Sequence, residues 1–224
     1  MIDWAPLILT LQLATWTTCL LFLIGIPLAS YLAFRPRPWK PVLETLISMP
    51  LVLPPTVLGF YLLIAFSPAN AFGQFIDQHL GLQLIFSFEG LVLASMLYSL
   101  PFMVQPIQAG LSQLPPSLRE ASYVLGKSRW TTLLRVLLPN IRPALLSGLV
   151  LTFAHTIGEF GVVLMIGGNI PGETKVASIA IYDEVEALHY EVAGTYAAIL
   201  CALSFVILLA VYLLNGGYLK KLRP

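Results

Sequence analysis

The chain has 224 residues, of which 58% are hydrophobic and only 10% are charged. Its mean hydropathy of +0.85 exceeds what a soluble domain with a solvated surface carries, so composition excludes a soluble enzyme and predicts a membrane protein. A net charge of +1 gives no indication of nucleic-acid binding, and we expect no nucleic-acid partner. Cys19 and Cys201 lie inside apolar runs and indicate neither a disulfide framework nor a metal site.

Apolar runs predict about five membrane-spanning helices, because a hydrocarbon core of about 30 Å takes roughly 20 helical residues. No basic residue precedes the first run, which is longer than the core of a cleaved signal sequence, so we expect it to be retained. The predicted fold class is an all-α polytopic membrane protein with a single domain over residues 1–224. The predicted spans are residues 7–34, 43–66, 90–110, 141–167 and 192–214.

Basic residues predict the orientation, because short cytoplasmic loops hold the excess of lysine and arginine. Eleven of the twelve basic residues fall on one side of the predicted spans, and only Lys175 falls on the other. We therefore expect the N-terminus outside and the C-terminus inside the cytoplasmic membrane. The eleven are Arg35, Arg37, Lys40, Arg119, Lys127, Arg129, Arg135, Arg142, Lys220, Lys221 and Arg223.

The second span contains Pro50, Pro54 and Pro55 at membrane depth. Each proline removes a backbone donor and bends or breaks a helix. Two interpretations stay open. The span is either a kinked helix that serves packing, or a broken helix beside a transport path, with Pro54 and Pro55 as candidate path or gate residues.

Capping signals predict a helical hairpin over residues 115–139. These residues lie in the long segment between the third and fourth predicted spans, which the basic residues place on the cytoplasmic side. Ser117 and Glu120 have the S-x-x-E spacing of a capping box, which predicts a first helix over residues 118–125. Gly126 is placed to end that helix in a left-handed conformation.

The second helix of the hairpin is predicted to begin at Ser128, which can cap it, and to run through Leu138. Pro139 is expected to interrupt it before the fourth span. A loop that folds into capped helices, yet is neither a catalytic domain nor a minimal turn, is suited to docking on a cytoplasmic partner.

The stretch EASYVLGKS, residues 120–128, also has the relaxed spacing of a phosphate-binding loop, with Ala121 before Gly126, Lys127 and Ser128. Such a loop needs a preceding strand and a flexible segment whose amides face the phosphates. Here the intervening residues are bulky and helix-compatible, and about 30 residues cannot build a nucleotide-binding domain. We therefore favour docking over nucleotide binding.

The same segment resembles the E-A-A-x-x-x-G-x9-I-x-L-P pattern of ABC importer permeases. It has Ser122 in place of the third residue and Val136 in place of isoleucine. In that family the segment contains the coupling helix, which sits in a groove of the ATP-hydrolysing subunit. By this resemblance the coupling residues are Ser117, Leu118, Arg119, Glu120, Ala121, Ser122, Leu125, Gly126 and Lys127.

Five helices with the N-terminus outside are also similar to the core of the type I importer permeases. The resemblance implies the membrane subunit of an ATP-driven importer. Its partners would be a second copy of itself, two ABC ATPase subunits on the cytoplasmic side, an external substrate-binding protein and the lipid bilayer. The chain would be no enzyme and would bind no cofactor, since ATP and Mg belong to the ATPase subunit. A self-contained nucleotidase and a passive anion channel are the alternatives from other classes.

Two further segments, residues 50–63 and 158–174, resemble the molybdate permeases. Sulfate permeases have a similar Gly-Glu-aromatic-Gly element, so residues 158–161 indicate the oxyanion group as a whole. The NIPGET element, residues 169–174, is the more discriminating match. The resemblance implies molybdate as the transported anion, with sulfate or tungstate as the alternative, because periodicity and charge do not distinguish one tetrahedral dianion from another.

His155 and Glu159 are spaced i and i+4, which predicts one shared face of the fourth helix. Ionisable groups at that depth are expensive and indicate function. An anionic glutamate would repel a dianion, which disfavours substrate ligation by Glu159. We interpret the two as a structural or gate-positioning pair, bonded to each other or to a neighbouring helix, and a path-lining His155 is the alternative.

The segment over residues 173–191 is acidic and amphipathic. We interpret it as a solvated surface helix on the outer side, and contact with an external binding protein is the alternative.

Overall fold

The computed structural model describes residues 2–35 and 38–215, and the regular secondary structure of these residues is helical. This finding confirms the predicted all-α fold. The helices in chain order are α1 (Ala5–Phe34), α2 (Lys40–Ser48), α3 (Pro55–Phe66), α4 (Ala71–Leu80), α5 (Phe88–Ser112), α6 (Pro116–Val124), α7 (Arg129–Asn140), α8 (Arg142–Ile157), α9 (Gly161–Gly167), α10 (Ala177–Glu186) and α11 (Tyr190–Asn215).

Three helices of the described chain, α1, α5 and α11, are long and apolar enough to cross a membrane. Two pairs of consecutive helices are also long and apolar enough when each pair is taken together. Lys40–Leu51 and α3 are bent by 111° relative to each other, and α7 and α8 are bent by 84°. With each pair counted as one span, the described chain has up to five spans. The structure thus allows three to five spans, and the predicted number of about five lies at the upper limit of this range.

Helix α5 forms the centre of the bundle and packs against α1 and α8. Small residues allow the helices to approach closely, as is common where lipid supplies no hydrophobic driving force. A Cβ on Gly25 of α1 would lie 2.8 Å from Cγ of Met103, and one on Gly148 of α8 would lie 3.2 Å from the Met103 carbonyl oxygen. Pro101 and Pro106 do not end α5, which continues to Ser112.

The second span is broken, as the transport-path interpretation requires. Helix α2 ends in a 3-10 turn at Met49–Leu51, and α3 begins at Pro55. Pro54 between them has extended backbone, with φ −54° and ψ 135°. The residue before a proline is driven out of the helical region by the proline ring, so the Pro-Pro pair explains where the break falls.

The fourth span departs from the predicted continuous helix over residues 141–167. Helix α8 ends at Ile157 and α9 begins at Gly161, so the three residues between them are not helical. Glycines on either side of Glu159 lower helix propensity at this point. His155 therefore lies in α8 and Glu159 lies in the break, and the predicted shared helix face is wrong.

The sequence also did not predict α4, which follows α3 after a short turn. The side chain of Asn70 donates a hydrogen bond to the Ile64 carbonyl at 2.7 Å, and the Phe66 and Phe72 rings lie 6.1 Å apart. This helix is ten residues long and amphipathic, and it is too short to cross the hydrocarbon core of a bilayer.

Charged residues are separated between the two ends of the bundle. At one end, the Gln108 amide of α5 donates to Glu44 of α2 at 2.5 Å, beside the hairpin of α6 and α7. We call this the basic end, because the described basic residues other than Lys175 lie in its segments. Arg37, Lys220, Lys221 and Arg223, which also entered the orientation argument, lie outside the described residues.

The opposite end carries most of the acidic residues, and we call it the acidic end. The Tyr196 hydroxyl donates to the Asp3 carbonyl at 2.7 Å, and the Ala177 amide donates to the Thr10 hydroxyl at 2.8 Å. These bonds join the start of α1 to α10 and α11. Lys175 lies at this end, so the fold separates the charges as the orientation rule requires.

We expect the acidic end to face outward and the basic end to face the cytoplasm. Glu173→Cys and Lys127→Cys, made separately in a chain lacking Cys19 and Cys201, place a thiol on an exposed residue at each end. An impermeant thiol reagent added to intact cells should label the first and not the second, while membrane disruption should expose both. Equal labelling in intact cells would contradict this orientation.

Candidate coupling hairpin and helix-break site

The first helix of the hairpin begins earlier than the capping box predicts. Helix α6 starts at Pro116, and Pro115, with extended backbone, occupies the N-cap position. Proline suits the first helical position because its missing N–H would have no partner there. Ser117 therefore lies inside the helix and caps nothing, and the predicted capping box with Glu120 is wrong.

The end of α6 has the predicted left-handed glycine. Gly126 has φ +72°, its amide donates to the Tyr123 carbonyl at 2.9 Å, and the Lys127 amide donates to the Ser122 carbonyl at 3.1 Å. The bond from Lys127 back to Ser122 is typical of a glycine helix terminus. Because these two amides are bound by helix carbonyls, they do not form a cradle for phosphate.

Ser128 caps the second helix, as predicted, by accepting the Thr131 amide at 3.2 Å. The Ser122 and Thr132 hydroxyls form a buried hydrogen bond of 2.8 Å that joins the two helices. Helix α7 then contains a π-helical turn at Leu133–Leu137 and continues through Pro139 to Asn140. The predicted interruption at Pro139 is therefore wrong, since the chain bends one residue after Asn140.

The turn between the two helices presents apolar side chains to the surroundings. Val124 is 88% exposed, Leu125 is 74% exposed and Trp130 is 61% exposed. An apolar patch of this kind on a basic surface is typical of an interaction site. Of the predicted coupling residues, Ser122 is buried, Leu118 and Arg119 are half-buried, and Ser117, Glu120, Ala121, Leu125, Gly126 and Lys127 are exposed.

The two helix breaks lie against each other through Gly161 and Pro55, although Pro54 itself is exposed. A Cβ on Gly161, the first residue of α9, would lie 2.8 Å from Cβ of Pro55 and 3.3 Å from the Thr56 nitrogen. One helical turn further along α3, a Cβ on Gly59 would lie 2.8 Å from Cβ of Met165. The start of α3 after Pro54 therefore packs directly on the segment that follows Glu159.

His155 is fixed by α5 and not by Glu159. Its Nδ1 lies 2.9 Å from the Ser99 hydroxyl, which is also 3.1 Å from the Thr156 hydroxyl. The imidazole stacks on the Phe102 ring at 4.1 Å and lies 4.7 Å from the Tyr98 ring. The sequence did not indicate Ser99, since a lone serine in an apolar helix gives no distinguishing signal.

Glu159 is buried in the break, with 4% of its surface exposed. The Ser178 hydroxyl of α10 donates to its backbone carbonyl at 2.6 Å, which ties the break to the next helix. Neither carboxyl oxygen has a hydrogen-bond partner within the described chain, although the equally unpartnered hydroxyl of Ser95 faces the group. A carboxyl group in such surroundings is costly at membrane depth.

The NIPGET element is a loop held together by its own side chains and α10. Asn169, at φ 61°, donates to both carboxyl oxygens of Asp183 at 3.1 and 3.0 Å, and Lys175 forms an ion pair with Asp183 at 2.5 Å. The buried Thr174 hydroxyl donates to the Gly167 carbonyl at 2.6 Å and accepts the amide of residue 170 at 2.9 Å.

Comparison with known proteins identifies the class. The family model of binding-protein-dependent transport system inner membrane components matches residues 25–220. This chain belongs to that family. The permease of a bacterial importer of the acidic polysaccharide alginate has the same fold, with a TM-score of 0.76 over 98% of this chain and 79% of that one, at 18% identity. A chain of the methionine ABC transporter MetNI also has this fold, with a TM-score of 0.72 over 95% of this chain and 94% of that one, at 19% identity.

Relatives of known name are transport permeases. The molybdenum transport permease ModB of Azotobacter vinelandii is 46% identical over 94% of this chain and 93% of its own length. The putative molybdenum transport permease YvgM of Bacillus subtilis is 32% identical over 91% of this chain and 89% of its own length. The sulfate permease CysT of Escherichia coli is 31% identical over 82% of this chain and 66% of its own length.

We predict that Gly161→Ala lowers both the melting temperature and the transport activity, because its methyl group would push the two breaks apart. Overpacking of this kind costs about 1–3 kcal/mol. Gly194→Ala in α11 is the matched control, since an added Cβ there meets no atom within 4 Å. Equal melting temperatures for the two variants in detergent would show that the contact does not constrain the fold.

Proposed function

We propose that this chain is the membrane subunit of an ATP-driven importer of a tetrahedral oxyanion, and that the anion is molybdate. The observation that carries the proposal is the 46% identity with a molybdenum permease over 94% of the chain, against 31% with the sulfate permease over 82%. Sulfate or tungstate is the alternative substrate of the same fold.

The hairpin of α6 and α7 is the docking element for an ATPase subunit. Its exposed turn offers Val124 and Leu125 as apolar contacts, with Glu120 and Lys127 as charged flanks. Two copies of the chain enclose the path, two ATPase subunits dock on their hairpins, and an external binding protein delivers the anion. ATP and Mg are bound by the ATPase subunits, so this chain itself is no enzyme and binds no cofactor.

Two consecutive helices connect the hairpin to the break. Helix α7 bends by 84° into α8, and α8 ends at Ile157, two residues before Glu159. Movement of the docked hairpins therefore displaces α8 and changes how the segment that follows it packs on Pro55 through Gly161. ATP can shift the path only if it binds one conformation better than the other.

His155 and Glu159 position the gate and do not bind the anion. The bond from His155 to Ser99 holds α8 against α5, and the burial of Glu159 keeps its carboxyl group away from a passing dianion. Pro54 and Pro55 form the opposite side of the same gate, through the contact with Gly161.

Substitutions in the hairpin test docking against nucleotide binding. Gly126→Val should abolish coupled transport, because the left-handed conformation costs a non-glycine residue roughly 1–2 kcal/mol and more for a β-branched one. Gly126→Asn, which tolerates this conformation, is the matched control and should retain most activity. The measurements are transport and substrate-stimulated ATPase activity of the reconstituted complex.

In the same assay Glu120→Ala should weaken ATPase association, because it removes an exposed acidic contact, and Lys127→Ala should be mild. A phosphate-binding loop would give the reverse order, since its lysine contacts the terminal phosphates. An inactive Lys127→Ala beside a normal Glu120→Ala would overturn the docking assignment. ATP binding by the purified chain, or anion flux without the ATPase, would instead favour a nucleotidase or a channel.

We expect cells that depend on this transporter to take up molybdate in preference to sulfate. Selectivity should reside mainly in the delivery protein, because a transient path need only pass what is released into it. Uptake of labelled molybdate should therefore fall with added tungstate and hardly change with a large excess of sulfate. Competition by sulfate as strong as that by tungstate would place the chain with the sulfate permeases.

A further inference from the structure

A cavity of about 470 Å³ lies at the basic end, between the last turns of α1 and the hairpin. Its volume falls within the range of small-ligand sites. It has a cationic wall and an apolar wall, which come from both elements. The cationic wall consists of Arg35, Arg119 and Arg129, and the apolar wall of Phe34, Leu133 and Leu137.

The three arginines are not neutralised by carboxylates of the described chain. None of them takes part in an ion pair there. Two of them lie over aromatic rings, with Arg35 5.2 Å from the Tyr31 ring centre and Arg119 4.8 Å from that of Phe34. A ring face attracts a guanidinium but does not cancel its charge, so the cavity offers fixed donors for an anion.

The position of the cavity points to a lipid. Its rim includes Tyr31 and Trp130, and Trp130 is 61% exposed. Such residues are enriched where membrane meets water. Phe34 of the apolar wall belongs to the last turn of α1, a helix that enters the bilayer. A soluble phosphate would use only the arginines and leave the apolar wall unoccupied.

We propose that this cavity binds an anionic phospholipid, with its phosphate on the three arginines and the first part of an acyl chain against the apolar wall. Basic pockets between membrane helices on the cytoplasmic side are suited to such headgroups. Because Arg35 directly follows α1 and Arg129 belongs to α7, the bound lipid bridges the bundle and the hairpin. The proposal depends on the membrane location and the geometry, and not on the identity of the transported anion.

Trp130 provides an internal probe of the cavity. The full chain, with Trp4, Trp16 and Trp39 changed to phenylalanine, is reconstituted in phosphatidylcholine vesicles that contain brominated phosphatidylglycerol or brominated phosphatidylcholine as quencher. We expect half-maximal quenching of Trp130 at a markedly lower mole fraction of the anionic lipid. Equal mole fractions for the two brominated lipids would overturn the proposal, and so would loss of quenching on addition of inorganic phosphate.

The double variant Arg35→Gln/Arg129→Gln should raise the mole fraction of phosphatidylglycerol that gives half-maximal quenching by about ten-fold or more, since each arginine near a phosphate contributes on the order of a few-fold. The control Arg135→Gln/Arg142→Gln removes the same charge from the basic end but outside the cavity. It should leave the mole fraction of phosphatidylglycerol at half-maximal quenching nearly unchanged. An equal effect of both double variants would indicate surface attraction only.

Native mass spectrometry of the complex with its ATPase subunits gives an independent reading. We expect the complex to retain phosphatidylglycerol, and the Arg35→Gln/Arg129→Gln complex to lose it. A complex that retains no lipid, beside a chain alone that does, would show that the ATPase fills the cavity and would overturn the proposal.

Discussion

Backbone groups at membrane depth must be paired within the protein, and this constraint decides where the chain can depart from a helix. The break at Glu159 is buried inside the bundle, whereas Pro54 at the other break is exposed. The Glu159 amide donates to the Thr156 carbonyl at 3.3 Å, and its own carbonyl accepts the Ser178 hydroxyl. At the other break, Pro54 and Pro55 have no amide hydrogen that needs a partner. These features lower the cost of leaving a helix at each break.

Close packing then couples elements that are far apart in sequence. Helix α5 contacts α1, α8 and α9, so a displacement of α8 has to be accommodated by its neighbours. Interiors packed to this density shift between discrete arrangements and do not deform gradually. The bond between His155 and Ser99 sits at the boundary between α8 and the central helix, and the break beyond it is the place where the chain can absorb the change.

The sequence predicts best the features that depend on one residue type. Long apolar runs predict the spans, proline explains the break at Pro54, and glycine predicts the left-handed end at Gly126. The break before Gly161 could not be predicted, because glycine is also common inside membrane helices that pack closely. The capping box failed because Pro116 offers an equally good helix start two residues earlier. The partners of His155 depend on how helices pack, which no local pattern encodes.

The loop after α9 draws its stabilising bonds from within a short stretch of the chain, since Asn169, Thr174, Lys175 and Asp183 bond to one another or to adjacent backbone. These bonds fix its shape within one chain. A partner that binds at the acidic end would meet a surface that is already ordered, so little conformational entropy is lost on contact. Encounter and release at such a surface can both be fast.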